Sequence, residues 1–270
     1  MKKVGIIATD FNNIKVKNII DKILHFLENK KLHITVPYRG GKVDLLIALG
    51  GDGIILKAIR IIKNYEIPIL GVNLGKIGFL TFATAKNIIP LLKKIINTSN
   101  EYGSLEINLL EVKIYRKEKE IFKGYGLNDI VFRVDRSARV ISLSVACKNY
   151  TLMKFSGDGL IISSAIGSTA YNLSAGGPII YPEEKVLIIS PIAPHTLTLR
   201  HMVLPCTMPI KVSLLPEKTN CRLSIDGQLD KMLLPGDTAK VSLSEKKVKL
   251  IGFDTKEYLN KIKTIFFKMN

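Results

Sequence analysis

The 270-residue chain is short of cysteine, of aromatics and of acid: three Cys, 7% Phe, Trp and Tyr together, and 23 acidic residues against 40 basic ones. Cys147, Cys206 and Cys221 are odd in number, far apart and without CxxC spacing. This excludes a disulfide framework and a cysteine zinc site, and it fits a reducing, cytoplasmic setting. No run reaches the ~18 apolar residues needed to span a bilayer. The opening apolar stretch stops at Thr9-Asp10, too short for a secretory signal. Neither GxxxxGK[ST] nor GxGxxG occurs, so a nucleotide enzyme here is neither a P-loop NTPase nor an ordinary Rossmann dehydrogenase. His195 and His201 have no partners at nucleophile or metal spacing, and no Ser-His-Asp order or metal cluster is visible.

The acid shortage gives a formal net charge of +17. Only eight of the basic residues are Arg, and Lys is the weaker tool for bidentate phosphate recognition. The Lys excess is spread over the whole chain, alongside much Ile and Asn. This reads as a generally basic surface that helps anionic small ligands arrive. With no RRM, KH or helix-turn-helix signature and few aromatics to stack bases, no nucleic-acid partner is expected. The 47% apolar content and the length suit one large domain or two, with a core that needs no staple.

The first hundred residues alternate strand and helix. Val4–Ala8 is a short apolar run, and residues 14–29 carry Val16, Ile19, Ile20, Ile23, Leu24 and Leu27 at helical spacing. Leu32–Val36 alternates as a strand. Asp44–Leu49 is a nearly continuous apolar run, typical of a central parallel strand buried on both faces. Residues 54–63 resume helical spacing, Ile67–Val72 is a further strand and Asn87–Ile96 a further helix. This order predicts a parallel sheet with helices on its faces. From Leu105 to Leu250 the apolar runs are short and alternating, with charged turns such as residues 116–120, which predicts an antiparallel β domain. Residues 255–267 return to helical spacing. The expected organisation is a Rossmann-like α/β domain over 1–100, a β-rich domain over 101–250, and a closing segment over 251–270.

Five segments carry chemistry. Gly50-Gly51-Asp52-Gly53 joins a buried strand to a helix, where open α/β sheets bind ligands. Its glycines let the backbone approach a phosphate, and the helix start offers free N–H groups. Asp52 repels a phosphate there unless it holds Mg²⁺ or takes a proton from an attacking hydroxyl; the plainer reading is a helix cap. Gly71–Leu80 follows another strand and holds three glycines, with Phe79 and Leu80 as an apolar wall. Asn128-Asp129 suits a ribose diol or a simple Asx turn. Ser156-Gly-Asp158-Gly precedes a loop, Gly167–Ser174, whose Ser168, Thr169, Tyr171, Asn172 and Ser174 offer neutral groups to an amide, an adenine or ribose hydroxyls. Ile225-Asp-Gly-Gln228 reads by itself as a hairpin turn.

Taken together, GGDG, GVNLGKIGFL, ND, SGDGLIISSAIGSTAYNLSAGGP, PHTL and SIDGQ resemble the NAD kinase family, in that family's order and over residues 49–228. The resemblance implies a Rossmann-like amino-terminal domain, a carboxy-terminal β-sandwich-like domain and a final helix returning to the first. It implies phosphorylation of the adenosine ribose 2′-hydroxyl of NAD by ATP with a divalent metal, Mg²⁺, and a homodimer or homotetramer. Polyphosphate as donor stays open. By position, Asp52 is the proton acceptor. The implied ligand contacts are Asp52, Gly53, Lys57, Phe79, Asn128, Asp129, Arg139, Ser156, Asp158, Ile166, Thr169, Ala170, Tyr171, Asn172, Leu173, Ser174 and Gln228. The sequence departs from the common pattern at Ile54 (Thr), Asp129 (Glu), Ser156 (Arg) and Ser164-Ala165-Ile166 (Thr-Pro-Thr or Thr-Pro-Ser). The same residues leave two other readings open. A lipid kinase with the same turn gives the Gly167–Ser174 loop no role. A non-catalytic dinucleotide-binding regulator would not need Asp52.

Overall fold

The computed structural model describes residues 1–62, 64–75, 78–97, 102–135, 140–148, 150–215 and 219–267. The chain divides into two compact units, Met1–Glu106 with Lys247–Asn270, and Ile107–Lys246.

The first unit opens with β1 (Lys3–Ala8), α1 (Ile14–Glu28), β2 (His33–Thr35), β3 (Leu45–Leu49), α2 (Asp52–Ile61), β4 (Ile69–Asn73), the short β5 (Ala83–Thr84) and α3 (Ile88–Asn97). The strands pair in parallel in the order β2-β1-β3-β4-β5. All five residues of β3 are buried, as its unbroken apolar run requires. α1 starts where the Asn13 side chain accepts the Lys15 N–H, and it buries Val16, Ile20, Ile23 and Leu27 along one stripe. These side chains, with Ile47, Leu49, Leu92 and Ile95, form one core. Burying each such side chain stabilises the fold by roughly 1.5–3 kcal/mol.

The second unit is a pair of antiparallel sheets. Its strands are β6 (Ser104–Arg116), β7 (Lys119–Gly126), β8 (Asp129–Val134), β9 (Ile141–Cys147), β10 (Tyr150–Gly157), β11 (Gly159–Ser164), β12 (Val186–Ile192), β13 (Met202–Pro205), β14 (Ile210–Leu214), β15 (Cys221–Ile225) and β16 (Leu229–Leu233). One sheet runs β13-β12-β11-β8-β15-β16; the other includes β10-β9-β14 and the start of β17 (Thr238–Ile251). Alternate residues from both, among them Phe132, Leu143, Leu160, Ile189, Leu223 and Val241, share a core, which makes the unit a sandwich. Beyond it, Leu250 of β17 pairs with Ile69 of β4 in the first unit's sheet, and the chain ends in a helix, Thr255–Ile262, continued by a π-turn, Lys263–Phe267.

The architecture is the α/β plus all-β arrangement read from the sequence. The boundaries differ in ways that matter locally. The helix expected over 54–63 begins two residues earlier, so Asp52 is its first residue. β2 keeps only three residues, because it pairs on one side alone and Pro37 follows. Residues 166–174 are not an open loop but a 3₁₀ turn, Ile166–Thr169, followed by a single helical turn, Tyr171–Ser174.

Candidate active site

Two clusters stand out, one in each unit. The first begins where β3 ends. Gly50 has φ +152°, and a Cβ there would meet the Thr9 hydroxyl, so only glycine lets the chain turn. Asp52 does not cap its own helix. Its carboxylate reaches across to the loop after β4, where Oδ2 accepts the Phe79 N–H at 2.8 Å and Oδ1 accepts the Leu80 N–H at 2.9 Å. Gly78 is required by that approach, since a Cβ there would run into Asp52 Oδ1. The glycine-rich loop is therefore closely approached, as its sequence suggests, and what approaches it is Asp52. Each carboxylate oxygen keeps further acceptor capacity.

The final helix closes over this loop. The Phe79 ring stacks on Phe266, with centroids 5.7 Å apart, and meets Tyr258 edge-on at 6.0 Å. Lys261 donates from Nζ to the Thr81 carbonyl at 2.6 Å and lies 4.7 Å from the centre of the Phe82 ring. Burial pulls its ammonium below the usual lysine range, against the opposing charges of Asp52 and Glu257. Gly53 and Lys57, also on α2, are exposed.

The second cluster joins the start of β8 to the β15–β16 turn. Asp226 occupies that turn with φ +52°, followed by Gly227 at +63°. Its Oδ2 accepts the N–H of Leu127 at 2.8 Å, and its Oδ1 accepts those of Asn128 and Asp129 at 2.7 and 3.2 Å. Burial raises the Asp226 carboxyl, opposed by these three bonds. Beside it, Asp129 is 5% exposed and pushed up to about 7, by burial first and the Asp226 charge second. Asn128 presents a buried side-chain oxygen with no hydrogen-bond partner among the described residues. A buried unpaired acceptor costs about 1–3 kcal/mol, a cost that a ligand donor would remove.

β11 supports the same corner. The Ser164 N–H donates to the Asn128 carbonyl at 2.9 Å, and its hydroxyl donates to the Leu127 carbonyl at 2.6 Å. A Cβ on Gly167 would collide with the Asn128 carbonyl, so the glycine opening the 167–174 segment is fixed by packing. Within that segment Ser168 and Asn172 turn inward. Ser168 Oγ exchanges bonds with Ile180, and the Asn172 amide donates to Ser168 and Pro178 carbonyls and accepts from Ser190. Tyr171 and Ser174 are exposed, while Thr169, Ala170 and Leu173 are half-buried and Ile166 is buried.

Asp158 is exposed at the β10–β11 turn, and Ser156 shares a 2.7 Å hydroxyl contact with Ser142. Gln228 is half-buried in the Asp226 turn. Arg139 lies outside the described residues. Sequence reasoning missed Asp226 and Lys261. The first was visible only as a hairpin turn, because the amides it binds are 97–99 residues earlier. The second sits in a helix whose sequence marks only its apolar side.

Among the described residues no three His, Cys, Asp or Glu side chains gather to hold a metal. The donor set does not fit a protein-built cation cage. Mg²⁺ is commonly bound through one or two carboxylates together with substrate phosphates and waters, and Asp52 is the carboxylate of the Gly-Gly-Asp-Gly turn.

The chain thus combines an α/β unit carrying a Gly-Gly-Asp-Gly strand-to-helix turn with a β-sandwich unit carrying a polar corner around Asp129 and Asp226, the parts of a small-molecule-binding protein. Comparison with known proteins narrows this. The ATP-NAD kinase N-terminal domain matches residues 6–102 and the ATP-NAD kinase C-terminal domain residues 127–253. NAD kinase of Geotalea daltonii is 34% identical over 98% of both chains, and NAD kinase of Syntrophobacter fumaroxidans is 38% identical over 82% of this chain and 78% of its own. In fold, the chain is similar to yeast NADH kinase complexed with NADH, with TM-score 0.87, 21% identity and coverage of 100% of this chain and 89% of that one. It is also similar to an NAD kinase from Archaeoglobus fulgidus in complex with ATP, with TM-score 0.78, 23% identity and coverage of 96% and 97%. The chain belongs to the ATP-NAD kinase family.

Proposed function

We propose that this enzyme is an NAD kinase, transferring the γ-phosphoryl group of ATP to the adenosine ribose 2′-hydroxyl of NAD. The 2′-oxygen forms a bond to the γ-phosphorus, the bond to the ADP oxygen breaks, and the hydroxyl proton goes to Asp52. A ribose hydroxyl is a poor nucleophile at neutral pH, and a positioned carboxylate that takes its proton contributes typically ~10²–10⁴ in rate. The observation that carries this is the Asp52 carboxylate itself. It is anchored by two backbone amides at a helix start, with lone pairs left over to receive a proton. A divalent metal bound with ATP would neutralise phosphate charge.

NAD is held by the corner built on Asp226. The Asn128 oxygen and the Asp129 carboxylate accept from ribose hydroxyls or the amide, and Thr169, Tyr171 and Ser174 border the dinucleotide. The three cysteines are free, which suits work in the cytoplasm. The family resemblance suits a homodimer or homotetramer. No described helix is long and apolar enough to cross a membrane. The test is purified protein with NAD, ATP and Mg²⁺, followed for NADP, with ATP and NAD each omitted in turn. Absence of NADP at any ATP concentration would sink the reading.

A further inference from the structure

The second unit carries a cavity of about 830 Å³ on the outer face of its β9-β14-β17 sheet, bounded by the β6–β7 hairpin and the turn after β9. None of its lining residues belongs to the Asp52 turn or to the Asp226 corner. Four ammonium groups, on Lys117, Lys148, Lys211 and Lys240, line it against a single carboxylate, Glu118. All four lysines are exposed, and among the described residues none of them joins an ion pair. Lys211 and Lys240 are direct cross-strand partners on β14 and β17, while their neighbours Ile210, Val212, Ala239 and Val241 turn into the core. Like charges placed directly opposite on one sheet face destabilise the pair. Lys117 and Glu118 form a two-residue hairpin turn with φ +48° and +66°, and Lys148, directly after β9, has φ +53°. Such positions favour Asn and Gly, and strained backbone of this kind concentrates at functional sites. Asp237, between the lining residues Gly236 and Thr238, does not offset the lysines. It is buried and accepts from Arg116 Nε at 2.9 Å and Nη2 at 2.7 Å.

We propose that this cavity binds a small anion carrying two or more phosphate groups. Its volume is that of a small-molecule site. Four ammonium groups on separate segments act as point charges, which suits phosphate oxygens spread along a ligand. A planar bidentate grip on a carboxylate needs a guanidinium; no arginine lines the cavity, and Arg116 beside it is taken by Asp237. A phosphate seated between Lys211 and Lys240 turns their repulsion into two attractions. The arrangement is thus stable when filled and strained when free. An inorganic oligophosphate and a nucleoside polyphosphate both supply this chemistry, and Tyr115 with Pro209 gives a wall that a base or sugar can meet. The site goes beyond the kinase reading and does not depend on it.

The test is lysine footprinting of the full chain at roughly physiological ionic strength: acetylation rates of individual lysines, read by mass spectrometry, with and without inorganic tripolyphosphate. The expected result is at least about threefold slower modification of Lys117, Lys148, Lys211 and Lys240, with the exposed Lys22 and Lys30 of α1 unchanged. A parallel arm with ATP separates the sources. Equal protection assigns the inorganic chain and stronger protection by ATP assigns a nucleotide, and either supports the site. A Lys211→Thr/Lys240→Thr variant keeps good strand formers and removes the repulsion, so without ligand it melts at or above wild type. It loses the protection at Lys117 and Lys148, and its KM for ATP and for NAD stays within about twofold. No protection in wild type overturns the proposal. So does equal slowing at Lys22 and Lys30, which would mean diffuse surface charge. Protection by short duplex DNA at lower concentration than by tripolyphosphate overturns it as well, since the face would then serve a polymer. A variant melting well below wild type would make the lysines structural, and a tenfold rise in its KM for ATP would assign them to the reaction; both refute a separate site. Failure to form NADP leaves these outcomes untouched and refutes the kinase reading alone.

Discussion

Asp226 accepts the backbone N–H of Asn128 at 2.7 Å, and this bond, with its neighbours to Leu127 and Asp129, ties a hairpin turn to the strand start that carries two ligand candidates. Three consecutive amides converge on one carboxylate. The geometry of Asn128 and Asp129 is thus set from a residue far along the chain.

Asp226→Ala should therefore damage binding and stability together. It leaves three partly buried N–H groups without their acceptor, at about 1–3 kcal/mol for an unsatisfied group. The expected outcome is a loss of at least about 2 kcal/mol in urea unfolding and a weaker NAD dissociation constant. Asp226→Asn, whose one oxygen can still serve two of the amides, should fall between. If Asp226 were only a turn residue, Asn, which tolerates φ > 0 well, would leave both quantities unchanged.

Asp52→Asn separates chemistry from anchoring. Asn has one acceptor oxygen where Asp52 uses two, so its NH₂ must face one of the Phe79 and Leu80 amides. A stability loss of about 1–3 kcal/mol is expected, with NAD affinity largely kept and kcat down ~10²-fold or more. Retention of over half the wild-type kcat would remove Asp52 from proton transfer. Gly78→Ala is the companion: its Cβ displaces the same carboxylate without deleting it, so kcat should fall while the acid remains.

Among the described residues, Thr169 Oγ1 makes only a long 3.5 Å contact to the Ile166 carbonyl. Replacing it with Val should cost the free protein little, since the hydroxyl is barely used internally. If it serves the dinucleotide, NAD binding weakens by about 1–3 kcal/mol. An unchanged dissociation constant would return this turn to a structural role.

Much of this was legible in the sequence, for local reasons. The buried run Leu45–Leu49, the glycines after it and the helical spacing of Ile55 and Ile59 fix a strand, a turn and a helix without reference to the rest of the chain. Alternation likewise marks the sandwich strands. What was not legible depends on long-range packing. Ser168 and Asn172 resemble ligand groups in a hydroxyl-rich stretch, yet their polar atoms are satisfied by Ile180, Pro178 and Ser190. Asp226 resembles an ordinary hairpin Asp, because nothing near it names Asn128. Lys261 was one lysine among many until the fold placed it on the Thr81 carbonyl.

The Asp129 carboxyl gives a pH signature of known sign. Burial and the Asp226 charge raise it from the ordinary 3.8 to about 7. Between those values the folded protein holds a proton that the unfolded chain has released. Stability from this group is therefore full below about pH 4, falls as pH rises toward 7, and is flat above. The total is at most about 4 kcal/mol at 1.36 kcal/mol per unit. Other carboxylates, such as Asp237, which burial raises but its Arg116 partner lowers on balance, slope the opposite way, so the quantity to read is wild type against Asp129→Asn. The variant should gain on wild type as pH rises from about 4 to 7. Binding has the reverse sign if Asp129 meets NAD as proposed: an ionised carboxylate is the better acceptor for hydroxyl donors, so NAD affinity should strengthen through pH 7 with release of a proton. That slope should vanish in Asp129→Asn. Calorimetry in two buffers of different ionisation enthalpy measures the proton directly, and identical heats in both would mean that Asp129 does not meet the dinucleotide.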